Sequence, residues 1–190
     1  MPSLVNDEER VKEKEKIRPF ISTRRLTLLA MLLCCAVVIG FIERSIPLEF
    51  AIPGVRLGLA NVIVLFALYK MKPGQVFALV ILKCILTSVF VGSFTALAYS
   101  LGGSLLSFGS MALLLKINRE FFSPVGLSVI GAICHNTGQI LVAAFILGSF
   151  LVTAYMPALL ISGLITGALV GIIVKILVGN VALSKLFDEK

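Results

Sequence analysis

Residues 120–175, EFFSPVGLSVIGAICHNTGQILVAAFILGSFLVTAYMPALLISGLITGALVGIIVK, decide what kind of molecule this chain forms. Between Glu120 and Lys175 lie 54 residues without an Asp, Glu, Lys or Arg. A helix that crosses a bilayer needs about 20 mostly apolar residues, so the stretch holds two spans and a turn, which falls near Gly148, Ser149 and Phe150. Working outward, charge-free gaps of 17 residues separate Arg25 from Glu43, 13 separate Arg56 from Lys70, and 32 separate Lys83 from Lys116. From Pro73 to Lys116 there is room for two helices that meet near Gly92 and Ser93, with Lys83 inside the first. Six spans result, at about 24–43, 55–71, 74–91, 95–116, 125–148 and 153–177.

Open sheet edges cannot face lipid, and the apolar runs lack the alternation of a membrane barrel, so the spans are helices. The expected fold is therefore all-α, an integral membrane bundle of six helices. The second span is short, and it reaches across if Arg56 and Lys70 snorkel or if its outer end begins in the loop around Pro53. Composition agrees with this reading. The 190 residues are 58% apolar and 14% charged, with a mean hydropathy of +1.06, whereas a soluble domain carries roughly 25% charged residues. An ordinary soluble globule, a disordered chain and a secreted disulfide scaffold are excluded.

The domain organisation follows as a charged tail over 1–23, a six-helix membrane domain over 24–178 and a second tail over 179–190. Asp7 to Arg18, DEERVKEKEKIR, mixes both signs and reads as a solvated helix, with attraction to anionic lipid as the other reading. No apolar core precedes residue 24, so no cleaved signal peptide is expected. Fourteen Lys and Arg fall on the side that carries both termini, against Arg44 and Arg56 on the other. The positive-inside rule places both termini in the cytoplasm of a multi-pass protein of the cell membrane. These topogenic charges account for the sequence pI of about 9.5 without a nucleic-acid partner. Tyr69, Tyr99 and Tyr155 fall near span ends, as an interfacial belt predicts.

Cys34, Cys35, Cys84 and Cys134 lie inside spans and form no metal-ligand spacing, so they read as small packing residues. No GxxxxGK[ST] nucleotide loop is present, and no cofactor or metal is expected. The usual all-helical prenyl synthases hold Mg²⁺ against a diphosphate with clustered aspartates, because hard cations take oxygen ligands. The only aspartates here are Asp7 and Asp188, while Glu43, Glu49 and Glu120 are scattered. Any catalytic role would depend on a separate partner.

Three polar features interrupt the apolar spans. Lys83 lies nine residues past Gly74, about 13.5 Å into the membrane at the helical rise. An ionisable group there costs about 2.5–3.5 kcal/mol on insertion scales. It either lines a cavity for an anionic ligand or snorkels and caps helix carbonyls. His135, Asn136 and Gln139 sit in CHNTGQ, with His135 and Gln139 on one face and Asn136 at its edge. They line a ligand site or hydrogen-bond between helices. The connection from Phe41 to Asn61 contains Pro47, Pro53 and Gly54, and sets Arg56 and Asn61 at the outer mouth. It either caps an outward pocket or joins a topogenic arginine to a structural turn, and Gly58 permits close backbone approach. Small residues repeat at Ala30 with Cys34 and at Ala36 with Gly40, which lets another helix come close, from this bundle or from a separate subunit. Gly163, Gly167 and Gly171 make a similar ridge suited to internal packing.

IPGVRLGLANVIVLFAL (52–68) and ICHNTGQILVA (133–143) closely resemble the two signature stretches of heptaprenyl diphosphate synthase component I, also called the Gx transporter family, and the likeness extends over roughly residues 24–178. That family is in turn similar to the substrate-binding S-components of energy-coupling factor (ECF) transporters. The resemblance implies cytoplasmic termini, an outward pocket capped by the loop after the first helix, and a small-residue motif docking on a transmembrane scaffold driven by two ATPases. Docking would fall on Ala30 and Cys34, where S-components commonly show an alanine pair. Substrate contacts would come from Arg56, Asn61, Lys83, His135, Asn136 and Gln139. Two functions are expected from this. One is the capture subunit of an importer for a small anionic, vitamin- or precursor-like molecule. The other is a non-catalytic membrane component of heptaprenyl diphosphate synthesis that works with a separate catalytic subunit.

Overall fold

The computed structural model describes residues 23–45 and 58–187. The charged stretch 7–18, Pro47, Pro53 and Arg56 lie outside the described residues. The described chain forms α1 (Thr23–Ser45), α2 (Asn61–Lys70), α3 (Pro73–Val91), α4 (Phe94–Ile117), α5 (Pro124–Leu147), a 3-10 segment (Phe150–Tyr155), α6 (Met156–Gly179) and α7 (Val181–Phe187). Local chemistry sets the boundaries. Pro73 and Pro124 open α3 and α5, where a missing N–H costs nothing. Ser93 and Ser123 cap α4 and α5 by accepting the amides of Ala96 and Gly126. Gly92 and Gly148 end α3 and α5 in the left-handed region, at φ 66° and 61°.

Among the described residues, five segments are long and apolar enough to cross a membrane: Thr23–Glu43, Pro73–Phe90, Phe94–Ile117, Pro124–Leu147 and Phe150–Gly179. Their outward faces are apolar to a degree that water would not tolerate. Phe94 is 83% exposed, Phe145 88% and Phe150 81%. The molecule is a multi-pass membrane helical bundle.

The second expected span departs from its expected shape. Residues 58–60 are not helical, and α2 runs for ten residues only, a rise of about 15 Å. Every residue from Asn61 to Leu68 is buried. A helix that is apolar all round, as VIVLFAL (62–68) is, belongs in the middle of a bundle. Accordingly α2 touches each of α1, α3, α4, α5 and α6, which neighbour one another in that order around it. Lys70 closes α2 and bonds within the bundle. Its ammonium donates to the Ser184 hydroxyl of α7, which lies under this end of α2. The adjoining Phe66 and Phe187 rings meet edge to face at 5.4 Å.

The α4–α5 and α5–α6 contacts are the closest in the bundle, and glycine makes them so. A Cβ on Gly138 would lie 2.5 Å from the Gly102 carbonyl oxygen, and one on Gly171 2.5 Å from the Val125 Cα. Between membrane helices there is little hydrophobic driving force, so association rests on close van der Waals approach of this kind. The ridge of Gly163, Gly167 and Gly171 therefore packs internally, against α5. On α1 the two small-residue pairs face opposite ways. Ala36 and Gly40 are buried, with Gly40 against Thr87 of α3, while Ala30 and Cys34 are exposed.

Two sequence expectations fail. Tyr99 is not a belt residue: it is 5% exposed and packs with Ile140, Ala143 and Val152. It lies five residues into α4, where the 3-10 segment covers it. Cys34 and Cys35 do not pack inside the bundle but face outward, because α1 buries only the side that carries Leu32, Ala36 and Gly40.

Candidate functional site

Three antiparallel helices bring polar groups to one level. Lys83 stands ten residues into α3, Ser104 ten into α4 and His135 eleven into α5, each roughly 15 Å from its helix start and so near mid-membrane. The first turn of α2 arrives at the same place. Its entry is built on Gly58, whose φ of 81° lies in the left-handed region. Space demands glycine there as well, since a Cβ would stand 3.0 Å from His135 Cδ2 and 3.1 Å from Asn61 Nδ2. The Asn61 amide N–H donates back to the Gly58 carbonyl at 2.9 Å and closes the turn.

An acidic and a basic side chain are tethered to this turn. Lys83 Nζ donates to Asn61 Oδ1 at 3.1 Å. On the other side of the turn, Glu43 Oε1 accepts the Gly58 N–H at 2.5 Å. The Asn61 side chain also donates from Nδ2 to Ser107 Oγ at 3.4 Å, which links α2 to α4. Lys83 and Glu43 are 5% and 6% exposed, and burial at this depth makes hydrogen-bonded partners obligatory.

A cavity of about 20 Å³ lies between them, lined by Glu43, Lys83, Thr87, Ser100, Ser104 and His135 together with small residues of α1 and the α2 entry. That volume holds about one water molecule. A second, smaller cavity of about 10 Å³ lies beyond Asn61, against Ser128 and Thr166. Thr87 donates its hydroxyl proton back to the Lys83 carbonyl at 2.7 Å. Ser104 Oγ is buried and has no hydrogen-bond partner among the described residues. His135 shares a 2.8 Å hydrogen bond with Gln139, one turn on, and the ring is thereby fixed in orientation. Gln139 itself is fully buried behind the ring.

Of the residues singled out from sequence, Lys83 and His135 line this cavity, Asn61 lines the smaller cavity and bonds to Lys83, and Gln139 supports the histidine. Asn136 does not join them. Its Nδ2 donates to the Leu159 carbonyl of α6 at 2.6 Å, so it joins two helices. Arg56 lies outside the described residues. Ala30 and Cys34 lie far along α1 on its exposed side.

Sequence reasoning missed Glu43 and the serines. Glu43 closes a charge-free gap and so reads as the end of a span. It lies within α1, two residues before the helix ends, and points inward. The serines did leave a signal: Ser100, Ser104 and Ser107 recur at four and three residues, and all three are buried. That is a polar stripe on one face of an otherwise apolar helix. Among the described residues, no three His, Cys, Asp or Glu side chains come together as a metal site would require.

Residues 32–177 match the family model for heptaprenyl diphosphate synthase component I. No curated protein and no solved structure matches the chain.

Proposed function

The chain belongs to the heptaprenyl diphosphate synthase component I family, and from that membership and the buried charged cavity we propose that it captures a small polar molecule within the membrane. In this reading it is the substrate-binding subunit of an ECF-type importer, resident in the cell membrane with both termini cytoplasmic. It hands its ligand on through a transmembrane scaffold and two ATPases. The carrying observation is Lys83: a buried ammonium at mid-membrane, held by Asn61 at the wall of a hydroxyl-lined cavity. An anionic group on the ligand would meet this ammonium in a charge-assisted hydrogen bond. The way toward the basic end of the bundle, marked by Lys70, Lys72, Lys116 and Arg119, is filled by the buried apolar body of α2. That supports access from the opposite end.

A second reading is favoured by the family's description: a membrane component of heptaprenyl diphosphate synthesis, non-catalytic by itself, that binds a separate catalytic subunit. One experiment separates the two, a mild-detergent pull-down of the tagged protein from its native membrane with mass spectrometry of what co-purifies. Recovery of a scaffold with two P-loop ATPases supports the importer. Recovery of an aspartate-rich prenyl synthase instead moves the protein to quinone biosynthesis. Membranes containing only this chain are expected not to elongate a prenyl diphosphate, and elongation there would overturn the non-catalytic assignment.

A further inference from the structure

Along its sides α2 is buried and apolar, and such packing has no directional bond to fix a helix in depth or tilt. Its polar ties lie at its ends. At the mid-membrane end Asn61 meets Lys83 and Ser107, and Gly58 meets Glu43. At the basic end the Lys70 ammonium donates to Ser184 of α7, the Phe66 ring meets Phe187, and Arg119 donates to the Tyr69 carbonyl at 2.5 Å. The fold gives α7 the shape this contact needs. Asn180 separates it from α6 in an extended conformation and caps it, its side-chain oxygen accepting the amides of Ala182 and Leu183. Leu183, Ser184 and Phe187 then turn inward, while Val181 and Leu186 stay exposed. A seven-residue helix covered on one face is the kind of element that opens locally while the rest of a fold stays closed.

The far end of α2 has room to respond. Gly58 lines both cavities, with Ala60 on the larger and Asn61 on the smaller, so the entry turn stands between two voids. Packed interiors hold few voids, and Val64 to Ala67 of the same helix are at most 2% exposed and line neither cavity. The slack is therefore confined to the end that carries Asn61. From Lys70 to Asn61 the helix is a lever of about 13.5 Å, and a tilt of about 10° carries its end by about 2 Å. That displacement breaks a hydrogen bond of 3.1 Å such as the one between Lys83 and Asn61.

We propose that α7 is a latch on the central helix. Closed, it holds α2 with Asn61 on Lys83 and the cavity at the size of about one water. Released, it lets α2 pivot on the tie between Arg119 and Tyr69, so that the entry turn withdraws and the cavity admits larger molecules. The latch goes beyond the capture reading and acts on the cavity whatever occupies it.

The test uses the full chain in lipid nanodiscs, with Cys34, Cys35, Cys84 and Cys134 replaced by alanine and one reporter thiol added. Ser104→Cys puts a thiol of nearly the same shape on the cavity wall. Ala143→Cys puts one in a buried cluster to which α2 contributes no residue. The probe is a methanethiosulfonate carrying a trimethylammonium group, far larger than one water. Ser104→Cys is expected to react slowly in the latched protein and at least about ten-fold faster once Ser184→Ala and Phe187→Ala are added, while Ala143→Cys is unchanged by the same pair. Should that pair fail to fold, Lys70→Met cuts the same bond from the α2 side and leaves α7 intact. It is expected to speed the Ser104→Cys reaction as well, and Ser184→Ala on top of it is expected to add little, because the two share one bond. An unchanged Ser104→Cys rate in these variants overturns the latch. Equal acceleration of both reporters overturns it too, since the bundle would then be loosening as a whole. Neither result bears on capture, which the pull-down tests separately.

Discussion

Gly58 joins the entry of the central helix to the histidine of the site, and it is constrained twice. A side chain at positive φ costs about 1–2 kcal/mol, and here a Cβ would also press on His135. Gly58→Ala is expected to lower the unfolding midpoint and to weaken ligand binding together. Gly109→Ala should do neither, since nothing lies within 4 Å of a Cβ at that position. Asn136 and His135 are neighbours in sequence with different work. Asn136→Leu removes one interhelical hydrogen bond, worth about 0.6 kcal/mol on average between membrane helices, and is expected to leave ligand affinity unchanged. His135→Ala and Arg56→Ala are expected to weaken binding while the bundle stays folded. Equal affinity in all of these proteins, measured in nanodiscs, would reject the site.

At the scale of elements, the tight seams are where the bundle is least tolerant. Gly138→Val would drive a side chain into the Gly102 carbonyl, backbone against backbone, where no rotamer change gives relief. We expect a loss of about 1–3 kcal/mol, the usual cost of overpacking, read as a lowered midpoint in detergent unfolding. These elements were also the most legible part of the sequence. Long charge-free gaps mark α3 to α6, and Gly92, Ser93, Gly148 and Ser149 mark the turns, because glycine and serine there have capping work that no other neighbours could do. The central place of α2 was encoded in its lack of any polar face, yet its shortness reads equally as a truncated span. Glu43 was not legible, since a charge at a span boundary has the same appearance whether it points outward or inward. The contact of Asn136 with α6 depends on how two helices rotate against each other, which one helix's pattern does not carry. Nor did the last residues reveal α7, because Val181–Phe187 is too short for periodicity to show.

Considered whole, the bundle has a mid-membrane cavity and a closed basic end. There α7 is tied to α2 by Lys70 with Ser184 and Phe66 with Phe187, and to the start of α1 by Arg24, whose guanidinium donates to the Lys185 carbonyl at 3.2 Å. Phe187→Ala removes an edge-to-face pair worth about 0.5–1.5 kcal/mol. It is expected to speed amide hydrogen exchange in the last turn of α2 more than elsewhere. The proposed orientation has its own check: a cysteine placed in either tail should react with an impermeant maleimide only after the membrane is opened. The ten-residue length of α2 also bears on how the protein is made. A segment that short, beginning with Asn61 and ending in Lys70, offers insertion machinery too little apolar length to be recognised on its own. It has to be carried into the bilayer by the segments on either side of it and reach its place only once surrounding helices have gathered. The helix at the centre of the finished molecule is therefore expected to settle after its neighbours, and the cavity with it.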